Sequence, residues 1–396
     1  MLKRPLPVQA IPLRWRILVC LFLARTALGF QFQVVGSVST PMSASLGISF
    51  TEIGSLIGFF ILPGLVLAFP AGWLGRWLHD RTSNAAGLLL MAAGGVVAAL
   101  GDSFYGIAAG RLVMGVGFVI CSVYFTKKVV DWFSGHELAT AMSVLVISWP
   151  GGIALSQLSH SWMAEVYGWP LAMWSTVALC LFSTLLIWLV YRTPPGASGG
   201  AAALPAEWGL KRKEWWLIAI SAFCWGVFNA GYIVFLSFAA QSLVSPSQTI
   251  LAATALVSIA SWTAMAAIPA GGIIADRTKR PDLVVYIAMG LGILSMVTLP
   301  LPGLAIPSAI LFGAAGIMPA GVLVAMTGRA VAAERRAFGM GVYYIGYFFF
   351  CTVSPIMAGW LFDQTGDARD PLLLAMALFA LAAASYRVFD MAERRL

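Results

Sequence analysis

Apolar residues gather along the chain into twelve stretches of roughly 18 to 26 residues, separated by short polar segments that carry nearly all of the charge. At about 1.5 Å per residue, each stretch is long enough as a helix to cross a hydrocarbon core about 30 Å thick. The pattern predicts membrane-spanning helices over 15–37, 51–74, 84–101, 105–126, 138–160, 169–191, 215–240, 248–271, 283–300, 304–326, 339–361 and 371–390. The first stretch follows Lys3, Arg4, Arg14 and Arg16 but has neither the short apolar core nor the small-residue cleavage site of a signal peptide, so it reads as a retained first helix.

The polar segments add the organisation. Thr193-Pro-Pro-Gly-Ala-Ser-Gly-Gly-Ala-Ala-Ala-Leu-Pro205, closing on Lys211-Arg212-Lys213, has the composition of a linker, which divides the chain into a six-helix half over 1–192, a linker over 193–213 and a second six-helix half over 214–396. Lys and Arg accumulate on the cytoplasmic side of membrane proteins. With the N-terminus inside, 21 of the 24 fall in inside segments, only Arg369 falls outside, and Arg25 and Arg111 lie within helices. Both termini and the linker are therefore expected to be cytoplasmic, in a multi-pass protein of the cell (inner or plasma) membrane. The halves also echo each other: Pro70-Ala-Gly72 leads to Asp80-Arg81-Thr82, and Pro269-Ala-Gly271 leads to Asp276-Arg277-Thr278. Paired six-helix repeats of this kind occur in secondary transporters.

Composition agrees with the pattern. Of the 396 residues, 60% are apolar and 10% charged, against about 25% charged in an ordinary soluble domain. The net charge of +8 is dispersed in short clusters with no basic domain, so nucleic acid is not an expected partner. The five cysteines, Cys20, Cys121, Cys180, Cys224 and Cys351, lie inside apolar stretches without CxxC spacing and read as small buried hydrophobes. No metal site and no cofactor is implied.

Four passages resemble the major facilitator superfamily, and the similarity runs over essentially the whole chain. Gly272-Ile-Ile-Ala-Asp276-Arg277-Thr-Lys-Arg280 is similar to the family's G-x-x-x-D-R-x-x-R loop, and Gly72-Trp-Leu-Gly-Arg76-Trp-Leu-His-Asp80-Arg81 is its first-half counterpart, with Arg76 where the acid belongs and the acid one turn later. The resemblance implies a latch between helix ends for Asp276, Arg277 and Arg280, and extends it to Gly72, Arg76, Asp80 and Arg81. Arg111-Leu-Val-Met-Gly115-Val-Gly117 is similar to the family's R-x-x-x-G-x-G, and Ser148-Trp149-Pro150-Gly151-Gly152 to a Gly/Pro hinge lacking its full glycine repeat. Asp131-Trp132-Phe133 with Ala139-Thr-Ala-Met142 is similar to the loop of anion-porter branches of the nitrate/nitrite and cyanate type. The fold implied is an all-α integral membrane bundle of twelve helices in two pseudo-repeats. On spacing alone, the glycine motifs read equally as close helix packing.

The placement of ionisable groups carries the functional reading. All 16 carboxylates map to loops, termini or helix ends, whereas Arg25 lies ten residues into the first helix, about 15 Å deep. An arginine at that depth costs at least about 2.5 kcal/mol and faces a cavity or a partner as a rule. Gly29, Gln33 and Gly36 continue its stripe. With no carboxylate in a helix core, the counter-charge is expected to be an anionic substrate, for which the guanidinium fork is suited; the alternative is a staple onto backbone carbonyls. Arg111 reads as a second cationic point or as a snorkelling side chain. Trp149, Gly152, Ser156 and His160 on helix 5, Trp225, Asn229 and Tyr232 on helix 7, and Tyr343 and Tyr347 on helix 11 form polar-aromatic faces that either line a site or belong to the bundle core.

No nucleophile, acid–base pair or metal-spaced set converges at one depth, which argues against an enzyme, and no filter repeat or charged ring points to a channel. The expectation is a monomeric secondary transporter that moves a small organic or inorganic anion across the bilayer by alternating access. The substrate contacts are expected at Arg25, Gln33, Arg111, Trp149, Asn229, Tyr343 and Tyr347. A multidrug or hydrophobic-compound exporter and a non-transporting membrane sensor are the alternatives.

Overall fold

The computed structural model describes residues 10–67, 80–133, 136–194, 209–246, 248–332 and 335–395. Among them are twelve helical spans long and apolar enough to cross a membrane: α1 (Leu13–Ser37), α2 (Phe50–Leu67), α3 (Thr82–Ala99), α4 (Phe104–Trp132), α5 (Thr140–Tyr167), α6 (Trp169–Val190), α7 (Arg212–Leu243), α8 (Ile250–Thr278), α9 (Pro281–Thr298), α10 (Ala305–Ala330), α11 (Phe338–Thr365) and α12 (Arg369–Arg395). Several outrun the apolar stretches that announce them: α4 continues to Trp132, α5 to Tyr167 and α8 to Thr278. Apolar length marks the hydrocarbon, whereas the backbone ladder continues through the polar boundary as long as no breaker intervenes. Residues 195–208 of the expected linker, and 68–79 including Gly72 and Arg76, lie outside the described residues.

The packing repeats itself. In the first six helices α1 packs on α5 and α6, α3 on α4 and α6, and α2 on α4; in the last six α7 packs on α11 and α12, α9 on α10 and α12, and α8 on α10. The two groups meet chiefly along α2–α11 and α5–α8, with α1 touching α7 at the centre. Within the second group α10 is not a continuous helix: it passes through a π turn at Phe312–Gly316 before resuming at Ala320. The glycines there permit the close approach, since a Cβ on Gly313 would collide with Ala260 O of α8, and Gly316 meets Gly292 of α9.

The contact between the groups is tightest at the end of the bundle remote from where α1 begins and α12 finishes. A Cβ on Gly54 would collide with Pro355 O, on Gly58 with Thr352 O, and on Gly359 with Phe50 O, so α2 and α11 touch backbone to backbone over three turns. Small residues allow this in a membrane, where tight packing substitutes for hydrophobic drive. Asp363 completes the junction from α11: its carboxylate accepts from Phe50 N (2.9 Å), Thr51 N (2.7 Å) and Thr51 Oγ1 (2.6 Å). Those are the first two orphan donors of α2, and Ser49 Oγ takes the third, from Glu52 N at 3.2 Å. The helix start is thus capped in part by the residue that precedes it and in part by the other group.

Gly359→Leu is expected to prise this end apart, an overpacking cost of about 1–3 kcal/mol. Spin labels placed at the exposed Ser45 and at Thr365 should move apart and the unfolding midpoint should fall; an unchanged label distance would mean that these glycines do not hold the closure.

Candidate functional site

Arg25 sits on the face of α1 turned away from its exposed stripe of Val19 and Leu23, because two residues rotate a helix by about 200°. Its Nη1 donates to Leu145 O at 2.8 Å and to Ser148 Oγ at 3.0 Å, with Val146 O at 3.5 Å. The sequence of α5 explains why these acceptors are available. Pro150 lies inside the helix and has no N–H, so the carbonyl four residues earlier, Val146 O, loses its helical donor. Arg25 fills that gap from the neighbouring helix, while Ser148 Oγ donates to Leu145 O at 2.6 Å. Part of the guanidinium is therefore the staple that the sequence left as an alternative. Nε and Nη2 take no protein partner among the described residues. Tyr344 and Tyr347 of α11, in the other group, lie within electrostatic range of it.

The face Arg25 occupies is open. Val146 is 39% exposed although it stands half a turn round from the outward stripe of Leu155 and Leu158, and Tyr344 is 40% exposed on the side of α11 away from Phe349, Met357 and Trp360. Exposure on inward-turned faces of α5 and α11 marks a cavity between the two groups, on the side of the bundle where the termini lie.

The rest of the α1 stripe has other work. Gly29 and Gly152 form the crossing of α1 and α5, where a Cβ on either would collide with backbone, so the room at Arg25 is not made by Gly29 as the spacing suggested. Gln33 is buried and donates to Leu236 O of α7 at 3.0 Å. Gln157 of α5 donates to the same carbonyl at 3.2 Å and accepts from Ser261 Oγ of α8 at 3.1 Å. Four helices are tied at one point near the remote end. Gln157 and Ser261 escape sequence reading because a single amide or hydroxyl in an apolar run has no periodic signature.

Arg111 is fully buried and placed away from the cavity. Its Nε donates to Leu56 O (2.9 Å), Nη1 to Gln31 O (2.9 Å) and Nη2 to Phe32 O (3.1 Å), and the guanidinium lies 4.6 Å from the centre of the Phe60 ring. It neither snorkels nor presents a free donor face, but ties α4 to α1 and α2. Gly115 and Gly117 on the same helix meet Phe60 O and Gly87 O, which is the packing reading of that motif. His160 is likewise buried, between Ser156 Oγ at 2.7 Å and Ser175 Oγ at 2.9 Å. Ser175 Oγ donates to Ala172 O, so it accepts from Nε2–H, while Ser156 Oγ also meets Ser37 Oγ at 3.2 Å.

The aromatic residues form two walls. Trp149, half-buried, lies 5.2 Å from Phe32 and 5.5 Å from Phe118. In the other group Trp225 stacks with Tyr343 and Tyr347, each at 6.2 Å, and Asn229 Nδ2 donates back to Trp225 O at 2.9 Å. Tyr232 departs from this face and stacks on Phe312 of α10. Trp149, Trp225, Asn229 and Tyr347 are thus half-buried near the cavity, and Tyr343 stands behind them, fully buried.

At the other end of α8, Asp276 and Arg277 occupy the last turn, exposed, Lys279 takes the left-handed cap at φ 55°, and Arg280 meets Asp282 at 3.5 Å. Neither Asp276 nor Arg277 reaches the first six helices among the described residues; Asp80 begins a helix whose span α3 follows, and the side chains of Asp80 and Arg81 lie outside the described set. Among the described residues the ion pairs at this end stay within one group: Arg14–Glu137 at 2.8 Å, Arg335–Glu214 at 3.2 Å, and Arg329 with Asp390 at 2.7 Å and with Glu393. Replacing Asp276 by Asn together with Arg277 by Gln should slow flux in liposomes with little change in substrate affinity; a matching loss of affinity would count against a gating role.

Comparison with known proteins places this geometry. A stretch of 165 residues, 40% of this chain and 35% of the relative, is 28% identical to the inner membrane transport protein YajR of Escherichia coli K12, so the match spans about a third of that protein's length. Among solved structures, a bacterial homolog of the human lysosomal transporter Spinster, inward-facing and occupied, superposes with a TM-score of 0.77 at 16% identity over 96% of this chain and 97% of that one. A D-xylose-proton symporter does so with 0.70 at 18% identity over 93% and 96%, and the nucleoside transporter NupG with 0.73 at 16% over 95% and 99%. These likenesses, at such identities, are of fold; the matching residues 21–355, most of the sequence, are what show that the chain belongs to the Major Facilitator Superfamily.

Proposed function

We propose that this membrane protein is a secondary transporter that carries a small anion, with Arg25 as its anion contact. The observation that carries the reading is the half-used guanidinium. Nη1 bonds to α5 beside the Pro150 break, whereas Nη2 takes no partner among the described residues and remains for a ligand beside an open face. A cation in that position without a carboxylate partner is costly, and a carboxylate or other oxyanion would relieve the cost with charge-assisted bonds. Closure at the remote end by Gly54, Gly58, Gly359 and Asp363, with the opening on the side of the termini, suits a carrier whose two groups rock about the midplane. With the termini cytoplasmic, as the distribution of Lys and Arg indicates, this is the inward-open form, in the inner or plasma membrane. The relatives carry xylose, nucleosides and other solutes by name, so the anion rests on Arg25 alone.

Because the same side chain staples α5, Arg25→Gln should lower the melting temperature modestly, about the worth of one or two hydrogen bonds at roughly 0.5–1.5 kcal/mol each, and should abolish stabilisation by anions. Arg25→Lys should keep part of the binding, since it keeps the charge and loses the fork. Thermal shift with a panel of anions checks both. A strongly destabilised Arg25→Gln that still binds anions normally would reduce Arg25 to a staple and leave the exporter reading of the aromatic walls in its place.

A further inference from the structure

A groove of about 420 Å³ runs down the outside of the first six helices between α1 and α6. Its walls are apolar, Val19 and Leu23 from α1 against Leu186 and Val190 from α6. Its floor is Cys20, a small buried side chain whose Sγ lies 3.7 Å from Leu186 O. At 1.5 Å per residue the α1 wall descends about 10 Å from Arg16 to Leu23, most of one leaflet of a hydrocarbon core about 30 Å thick.

The mouth of the groove has the opposite chemistry. Arg16 lines it, exposed, with Trp15 beside it. The two arginines near the start of α1 are used differently: Arg14 pairs with Glu137 at 2.8 Å and lies over the Phe133 ring, whereas Arg16 has no ion pair among the described residues. Arg192, two residues past Val190 at the foot of α6, is exposed and unpaired among the described residues as well. No acidic side chain lines the groove. An unmatched cation above an apolar slot one leaflet deep suits a molecule that is anionic at one end and hydrocarbon along the rest. The distribution of Lys and Arg assigns this end to the cytoplasmic face, where a tryptophan marks the headgroup level and anionic lipids attract basic side chains.

We infer that this groove binds an anionic phospholipid, with its phosphate on Arg16 and one acyl chain laid over Cys20 between Leu23 and Leu186. Every lining residue belongs to the first six helices, so the lipid moves with that group and its binding stands apart from the reading of Arg25.

The test is native mass spectrometry of the full-length protein released from nanodiscs of phosphatidylcholine with a minor fraction of phosphatidylglycerol. One phosphatidylglycerol should be retained in preference to phosphatidylcholine. An arginine near the membrane surface is worth about fivefold, so Arg16→Gln should lower the preference by that factor and Arg16→Lys should keep most of it. Arg394→Gln removes an exposed cation from the same end of the bundle, on α12, and should leave the preference unchanged. Leu23→Trp fills the groove from its lipid side and should displace lipid of either headgroup with the charge untouched; Val19→Trp repeats this one turn away if the first variant fails to fold. Glycerol 3-phosphate, which has the headgroup chemistry without the chains, should not compete. Equal retention of the two lipids, or an equal loss in Arg394→Gln, makes Arg16 part of a diffuse surface charge and overturns the proposal. Retention untouched by both tryptophan variants, or displacement by glycerol 3-phosphate, overturns it too, because the apolar groove then plays no part. A dimer that disappears in Leu23→Trp overturns it by making the occupant a second copy of the chain.

Discussion

In hydrocarbon no backbone N–H or C=O can be left to water, and the architecture of this protein follows from that single constraint. Helices meet it along their length, so the described spans are helical. The informative places are those where a helix cannot meet it alone. Pro150 removes a donor from α5, and Arg25 supplies one from α1. The start of α2 exposes N–H groups, and Asp363 accepts them from α11. Near the end of α7, Leu236 O accepts from Gln33 and Gln157 together. Arg111 spreads its charge over three carbonyls of α1 and α2. Each repair joins two helices, so the cost of an irregularity in one becomes the bond that orients another.

These repairs also divide the molecule by mobility. Arg25 and Arg111 act within the first six helices and make them one body, as Arg335–Glu214 and Arg329–Asp390 do for the last six. The joins between the groups, at Asp363, Leu236 and Ser261, cluster toward the end remote from the termini. A carrier needs that distribution: strong ties inside each half, and a limited set between halves that can be exchanged for another set. Asp276 and Arg277 stand exposed in the last turn of α8.

Twelve spans and the family were legible in the sequence because membrane crossing imposes a minimum apolar length, and because charge, excluded from that length, must collect in the loops. Arg25 was legible for the same reason, since an ionisable residue inside such a length stands out against it. Its bonding was not, for the carbonyls it binds belong to α5, some 120 residues away, and only the packing of Gly29 against Gly152 brings them within reach. Arg111, with the same residue type and a comparable stripe, met Leu56, Gln31 and Phe32 instead of the cavity. Sequence determined how deep each charge sits. Which partner it finds at that depth is a matter between helices, and only the tertiary structure decided it, because burial and hydrogen bonding depend on neighbours that no periodicity along one helix can specify.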